Sequence, residues 1–237
     1  MFGVEILNWR DEVAALPKLA PRDFAVTMRD TVLLVVDMQY SDASRDFGWG
    51  PALRSTHPEV CDYYFGRIED LVVPNVKALI EAFRAQNGRI VYLTLGPMLP
   101  DGSDLTPNRK STSGAIQAVD NHFGSPEHAI LDELAPREGE LVVNKTSRGA
   151  FNSTAIDQTL RNFGCKSLIV VGVSTSSCVE TTARDSADRG YNTVIVEDAT
   201  AELDKASHDA SLRQFAVRWG RVWDTDSVFH ELGLSTR

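Results

Sequence analysis

The chain has 237 residues, a formal net charge of -9, 43% hydrophobic and 24% charged residues, which suits one soluble α/β domain. The acidic balance, with no basic tract to offset it, argues against a nucleic-acid partner or an anionic membrane surface. No apolar stretch approaches the ~20 residues that a membrane-spanning helix needs.

The three cysteines and the N-terminal residues both bear on the cellular compartment of the protein. The cysteines (Cys61, Cys165 and Cys178) form no CxxC pair, and their odd number fits a reducing environment better than a disulfide framework. The N-terminal residues carry early acidic side chains and no long apolar segment, unlike a secretory signal. We therefore expect a cytoplasmic protein.

The predicted elements begin with a leader, residues 1–30, that packs on a single domain covering residues 1–237. One short helix is expected at 10–16, where two prolines end it. An apolar strand at 31–36 follows and stops abruptly at an aspartate. Residues 39–66 are rich in aromatic side chains, and we interpret them as a long loop that forms a lid, a pocket wall or a subunit contact.

The rest of the chain alternates helices with strands, most of which are apolar throughout. This pattern predicts an α/β fold with three α-β-α layers and a mostly parallel, Rossmann-like sheet of about six strands, covered on both faces. The predicted elements are a helix from Pro74 to Gln86, a strand at 89–95, a loop at 96–126, a strand at 140–145, a helix at 152–163, a strand at 167–173, a helix at 178–189, a strand at 192–197, a helix at 205–219, a strand at 221–223 and a short terminal helix.

Cys178 lies where a buried strand, 167–173, gives way through a Ser/Thr-rich turn to a predicted helix. Unpaired backbone N–H groups and the positive end of the helix dipole favour a thiolate at such a point. The pattern therefore indicates a nucleophile whose thiol pKa lies below the ordinary ~8.5. The competing interpretation is a buried cysteine that acts as a small hydrophobic side chain.

Two further reactive groups fall at the same edge of the predicted sheet. Asp37 follows the first strand and Lys145 ends the third, and ligands of such sheets bind beyond the carboxyl ends of the strands. Alone, Asp37 could cap a turn and Lys145 could be a surface residue. Together with Cys178 they form a coherent set, because a carboxylate can take the thiol proton while an ammonium stabilises both anions.

Four stretches carry a resemblance to a known family, in the same order and with the same spacing. The chain resembles the isochorismatase-like cysteine hydrolases, which include nicotinamidases, N-carbamoylsarcosine amidases, ureidoacrylate amidohydrolases and biuret hydrolases. The matching stretches are LLVVDMQ (33–39), NKTSRGAFNST (144–154), GVSTSSCVETTARDSADRGY (172–191) and VEDAT (196–200).

The resemblance implies the isochorismatase-like fold and the catalytic triad Asp37, Lys145 and Cys178. It also implies a cis peptide bond between Val173 and Ser174, with the Ser174 and Cys178 backbone amides forming an oxyanion hole for a thioester-forming reaction. Members that cleave isochorismate lack the cysteine, so Cys178 points to cleavage of a C–N bond.

The loop after the second strand departs from the metal-binding nicotinamidases, which carry an Asp and two His there. Here that loop reads GPMLPDGSDL, without histidine, and the five histidines of the chain form no close pair in sequence. We expect no metal and no other cofactor.

The substrate is expected to be a small ureide or amide, with ammonia released. We favour biuret, triuret, ureidoacrylate or an N-carbamoyl amino acid, while a nicotinamidase-type or maleamate-type carboxamide is the alternative. Tyr40, Phe47, Trp49 and Phe151 are candidate pocket walls, Arg109 and Arg148 candidate anion or ureide ligands, and Thr175 a candidate polar contact. The competing interpretation of these residues is core, oligomer contact or surface charge.

Two alternative functions belong to other classes of protein. A nucleotide-binding module would need a GxGxxG or GxxxxGK[ST] motif, which GVSTSSC does not supply. A catalytically silent assembly partner is the other possibility, and the intact triad argues against it. We expect a homo-oligomer, a dimer or tetramer, with no nucleic-acid or membrane partner.

Overall fold

The computed structural model describes residues 8–16, 24–110 and 121–234. Its strands are β1 Thr31–Val36, β2 Arg89–Leu95, β3 Leu141–Lys145, β4 Ser167–Val173, β5 Asn192–Ala201 and β6 Arg221–Trp223. They form a six-stranded sheet in the order β3-β2-β1-β4-β5-β6, and every neighbouring pair is parallel.

Helices connect and cover these strands. They are α1 Trp9–Ala15, α2 Tyr40–Ala43, α3 Gly50–Thr56, α4 Pro58–Arg67, α5 Val73–Ala85, α6 Pro107–Lys110, α7 Ala150–Ser153, α8 Ile156–Asn162, α9 Glu180–Asp188, α10 Lys205–Arg218 and α11 Thr225–Glu231. Two π-helical turns, Ile68–Val72 and Thr175–Val179, precede α5 and α9. None of the described helices is both long and apolar enough to cross a membrane.

The central strands are buried on both faces because their side chains alternate between two apolar clusters. Leu33 and Val35 of β1 belong to the cluster that includes α4, α5 and α11. Val32 and Leu34 belong to the other cluster, which includes α8, α9 and α10. The predicted three-layer parallel fold is thus confirmed.

The predicted loop at 39–66 is wrong, because α2, α3 and most of α4 lie within it. Its aromatic side chains conceal the helical pattern, although two of them are core residues. Tyr64 and Phe65 are completely buried, and the ring of Trp49 lies 5.0 Å from that of Tyr64. The helix predicted from Pro74 therefore continues an earlier one, since α4 passes through a π-helical turn into α5.

Three further boundaries differ from the prediction. The helix expected at 152–163 is divided into α7 and α8, because the Thr154 side chain donates to Ala150 O (2.7 Å) and accepts from the Ile156 N–H (3.1 Å). β5 extends past 197 to Ala201, with an irregularity in its pairing to β4. The loop expected at 96–126 contains α6, and its residues 111–120 lie outside the described part.

The described part of the leader packs on the domain. Arg213 of α10 donates to the Glu12 carboxylate at 2.7 Å, and Trp9 is buried in the cluster with α10. The helix expected at 10–16 is therefore present as α1, whereas the remaining leader residues, 1–7 and 17–23, lie outside the described ranges.

Candidate active site

Three chain-distant side chains converge at the carboxyl edge of the sheet. Asp37 follows β1, Lys145 ends β3 and Cys178 follows β4. A cavity of about 760 Å³ opens at this edge and reaches both Asp37 and Cys178. Its lining comprises Asp37, Ser41, Asp42, Trp49, Leu95, Pro97, Pro100, Asp101, Gly102, Ser103, Leu105, Arg109, Asn121, His122, Arg148, Val173, Ser174, Ser177, Cys178, Glu202 and Leu203.

Asp37 and Lys145 form a buried ion pair. Lys145 Nζ donates to Asp37 Oδ2 at 2.8 Å, and the two residues are 0% and 1% exposed. Burial opposes the lysine charge, but the charge of Asp37 and its hydrogen bond to the ammonium help to outweigh it and raise the pKa of Lys145. Among the described residues, nothing hydrogen-bonds the buried Asp37 Oδ1. Lys145 therefore holds one oxygen of the carboxylate, and no described residue hydrogen-bonds the other.

The backbone at Asp37 adopts an unusual conformation. Its φ is +51°, in the left-handed region that non-glycine residues seldom occupy. The Asp37 N–H donates to Leu93 O at 2.9 Å, across the neighbouring strand. The end of β1 is thus turned so that the carboxylate enters the cavity.

Cys178 is deeply placed, with 5% of its surface exposed. It lies in the π-helical turn that precedes α9, so the prediction that it opens the α-helix is wrong. Burial, reinforced by the charge of Asp37, raises the pKa of its thiol to about 12, against a smaller opposing effect of Lys145. The expected pKa below 8.5 is therefore wrong, since the sequence does not reveal how far the sulfur is removed from water.

The turn before Cys178 begins with a cis peptide bond. The Val173–Ser174 bond is cis, as the family resemblance implied. The Ser174 carbonyl accepts from the N–H groups of Ser177 (3.1 Å) and Val179 (3.2 Å), so this turn closes on itself. Ser174 and Cys178 both line the cavity, whereas the oxyanion hole itself stays a prediction.

Two buried side chains outside the predicted set hold this turn in place. Glu202 Oε2 accepts from both the Ser176 N–H (2.7 Å) and the Ser176 hydroxyl (2.6 Å). His208 Nδ1 is 2.9 Å from the Thr175 hydroxyl. Glu202 was detectable in principle, because it follows β5 at the same edge of the sheet as the triad.

The candidate binding residues divide into two groups. Trp49, Arg109 and Arg148 line the cavity. The other four do not appear in its lining, and their contacts explain why. Tyr40 and Phe47 pack edge to face on each other (5.1 Å), Phe151 packs in the core 6.1 Å from Tyr191, and Thr175 is fully buried against His208.

Asp42 is a cavity residue that the sequence reasoning missed. Its Oδ2 accepts from the Ser41 hydroxyl at 2.5 Å. Burial of its carboxyl group, together with the charge of Asp37, raises the pKa of Asp42 to about 6. Its position only five residues after Asp37 is a signal for this role, but the aromatic residues around it obscure that signal.

Within the described residues, no group of three or more His, Cys, Asp or Glu side chains is arranged to hold a metal ion. The expected absence of a metal stays a prediction. His122 lines the cavity, although the loop directly after β2 has no histidine.

Comparison with known proteins adds a family to this geometry. The sequence model of the isochorismatase domain matches residues 31–227. The ureidoacrylate amidohydrolase RutB of Stutzerimonas stutzeri strain A1501 is 28% identical over 93% of this chain and 90% of its own length. A cysteine hydrolase from Pseudomonas syringae pv. phaseolicola superposes with a TM-score of 0.73 at 25% identity, over 92% of this chain and 97% of that one. The N-carbamoylsarcosine amidase of Thermoplasma acidophilum gives a TM-score of 0.60 at 25% identity, over 83% and 97%.

Proposed function

Because the chain belongs to the isochorismatase family of hydrolases, we propose that it is a cysteine-dependent amidohydrolase of a small ureido or carbamoyl compound. The observation that carries this proposal is the convergence of Asp37, Lys145 and Cys178 at one cavity. The Asp37 carboxylate is fixed by Lys145 and shares a cavity with the Cys178 thiol. A base, a nucleophile and a buried cation are the components of acyl transfer from an amide to a thiol.

The first half of the reaction forms a thioester. The buried thiol is neutral at rest, so Asp37 Oδ1 takes its proton as the sulfur attacks the carbonyl carbon. The backbone N–H groups of Ser174 and Cys178 hold the oxyanion that develops, an effect worth ~3 kcal/mol per donor in comparable sites. Asp37 then returns the proton to the leaving nitrogen, the C–N bond breaks and ammonia departs.

The second half releases the acid. Asp37 accepts a proton from water, whose oxygen attacks the thioester carbon, and the C–S bond breaks as the sulfur regains its proton. Lys145 keeps its proton throughout, and its charge stabilises whichever of the two partners is anionic.

The substrate class rests on the relatives and on the cavity. The relatives include a ureidoacrylate amidohydrolase and an N-carbamoylsarcosine amidase, both named for ureido or carbamoyl substrates. The cavity wall offers carboxylate, guanidinium and hydroxyl groups beside the indole of Trp49, which suits a small planar molecule with several N–H and C=O groups. A site built to pair such groups discriminates against analogues that lack them.

An ammonia-release assay over a panel of ureides and carboxamides tests the proposal. Cys178→Ala is the blank, and a thioester trapped on Cys178 in the wild-type protein would be detected by mass spectrometry. We expect the best ureide to exceed nicotinamide in kcat/KM by at least ~100-fold, roughly 2.7 kcal/mol of transition-state binding. Equal turnover of nicotinamide or another plain carboxamide would overturn the ureide assignment, and activity retained in Cys178→Ala would overturn the nucleophile.

A further inference from the structure

Asp42 stands close to the reacting groups without belonging to the triad. It lines the cavity with Asp37 and Cys178, and its charge acts on the pKa values of both Cys178 and Lys145. A negative charge here opposes formation of the thiolate, because it adds to the effect of Asp37 on the thiol. Asp42 therefore does not assist the nucleophile, and its presence needs another explanation.

The hydrogen bonds of Asp42 leave one oxygen for a ligand. Oδ2 accepts from the Ser41 hydroxyl, whereas Oδ1 has no hydrogen-bond partner among the described residues. The cavity wall includes Asp42, so a molecule bound in the cavity lies next to this side chain. A carboxylate that is only half satisfied by the protein is a ready acceptor for a substrate N–H group.

The position of this carboxylate is fixed. The Tyr64 hydroxyl donates to the backbone oxygen of Asp42 at 3.2 Å and lies 3.4 Å from the Ser174 hydroxyl. Tyr64 is itself completely buried and packs on Trp49. One buried side chain thus joins the backbone of Asp42 to the residue whose amide is proposed to bind the oxyanion.

A cation on the same cavity wall favours the ionised form of Asp42. The charge of Arg109, which also lines the cavity, lowers the pKa of Asp42 against the larger effects of burial and Asp37. With its pKa at about 6, the carboxyl group is mainly ionised at pH 8.

We propose that Asp42 is a specificity-determining residue, which accepts a hydrogen bond from an N–H group of the substrate beyond the scissile carbonyl. This inference rests on the amidohydrolase function proposed above and narrows its substrate class. The preferred substrates carry a second amide or ureido nitrogen, and an apolar or carboxylate group at that position is disfavoured. A carboxylate there would face a fixed negative charge, and a methyl group would leave Asp42 Oδ1 unpaired.

Biuret and acetylurea form a matched pair of probes, because they differ only in the replacement of one terminal NH2 by CH3. A hydrogen bond to a charged carboxylate is stronger than one between neutral groups. We therefore expect wild-type kcat/KM at pH 8 to be ~10-fold to 100-fold higher for biuret than for acetylurea. In Asp42→Leu, which keeps the approximate size of the side chain but has no hydrogen-bond acceptor, we expect the ratio to fall to within about threefold of unity. Asp46→Leu is the control, because Asp46 lies only four positions after Asp42, is absent from the cavity lining and pairs with Arg54 at 2.7 Å with its side chain 69% exposed, and its ratio should remain that of the wild type.

The ratio separates recognition from a general effect on the triad. Loss of the Asp42 charge changes the triad for both probes alike, so an equal change in both kcat/KM values with an unchanged ratio would overturn the proposal. Wild-type protein that hydrolyses other ureides but does not prefer biuret over acetylurea would also overturn it, without any variant, and would leave the proposed function intact. Failure to hydrolyse any member of the panel would instead overturn the proposed function and this inference with it.

Discussion

Replacing one partner of the Asp37–Lys145 pair should lower the free energy of unfolding by far more than replacing both partners. Lys145 and Asp37 have side chains that are 0% and 2% exposed and 2.8 Å apart. Removal of one partner from a buried pair leaves an uncompensated charge and typically costs ~3–5 kcal/mol, whereas replacement of both partners is often nearly neutral. We therefore expect Lys145→Met to lower the free energy of unfolding by ~3–5 kcal/mol, and Asp37→Asn/Lys145→Met to recover all but ~1–2 kcal/mol of it.

Urea unfolding followed by far-UV circular dichroism measures these free energies, and ammonia release from the best ureide measures activity. The control is Lys166→Met, because Lys166 pairs with Asp30 at 3.4 Å but its side chain is 75% exposed. That change should stay within ~0.5 kcal/mol of wild type. The double variant should be folded and inactive, while Lys145→Met should lose several-hundred-fold or more in kcat, as is ordinary for a charge in a desolvated site. The buried-pair reasoning is refuted if Lys145→Met and Lys166→Met have the same free energy of unfolding. It is also refuted if the double variant is no more stable than Lys145→Met.

Two further predictions concern titration. The pH dependence of Cys178 alkylation by iodoacetamide, followed by mass spectrometry, should give a thiol pKa well above 8.5, because burial and the charge of Asp37 raise it. An apparent pKa below 8.5 would contradict the structure and restore the sequence-based expectation. For His208, burial and the charge of Arg67 lower the pKa to about 4, so the unfolded chain binds more protons between about pH 4 and 6.5. The free energy of unfolding should therefore fall by up to ~3 kcal/mol as pH drops through this window, and urea titrations of His208→Asn should lack that part of the decrease; equal pH slopes in both proteins would refute this assignment.

The sequence predicts the sheet and the positions of the triad because both depend on strands alone. Apart from their first residues, Thr31 and Ser167, β1 and β4 have no polar side chains, and both strands are buried throughout. Since parallel strands end at one edge, the residues that follow them are brought together whatever the intervening chain does. The placement of Asp37 and Cys178 in one cavity needs only this rule and the family resemblance.

The errors arise where tertiary packing decides the outcome. The segment that contains α3 and α4 looks like a loop because its aromatic residues obscure the helical period, yet packing of Tyr64 on Trp49 stabilises helices there. Whether Phe151 faces a ligand or the core depends on its contact with Tyr191, far away in sequence. The thiol pKa was mistaken for a similar reason, because local sequence indicates a helix end but not the depth of the sulfur.

The Asp37–Lys145 ion pair also holds an edge strand of the sheet, β3, in place. β3 is the terminal strand of the described sheet and pairs with β2 alone, and its residues before Lys145 are partly or fully exposed. Glu140, which directly precedes β3, forms an ion pair with Arg84 of α5 at 2.8 Å. At the other end of β3, Lys145 pairs with Asp37. Edge strands are among the first elements to open locally, so catalysis depends on an edge strand of the sheet. Activity should therefore be lost when β3 opens locally, at denaturant concentrations at which the interior strands are still folded.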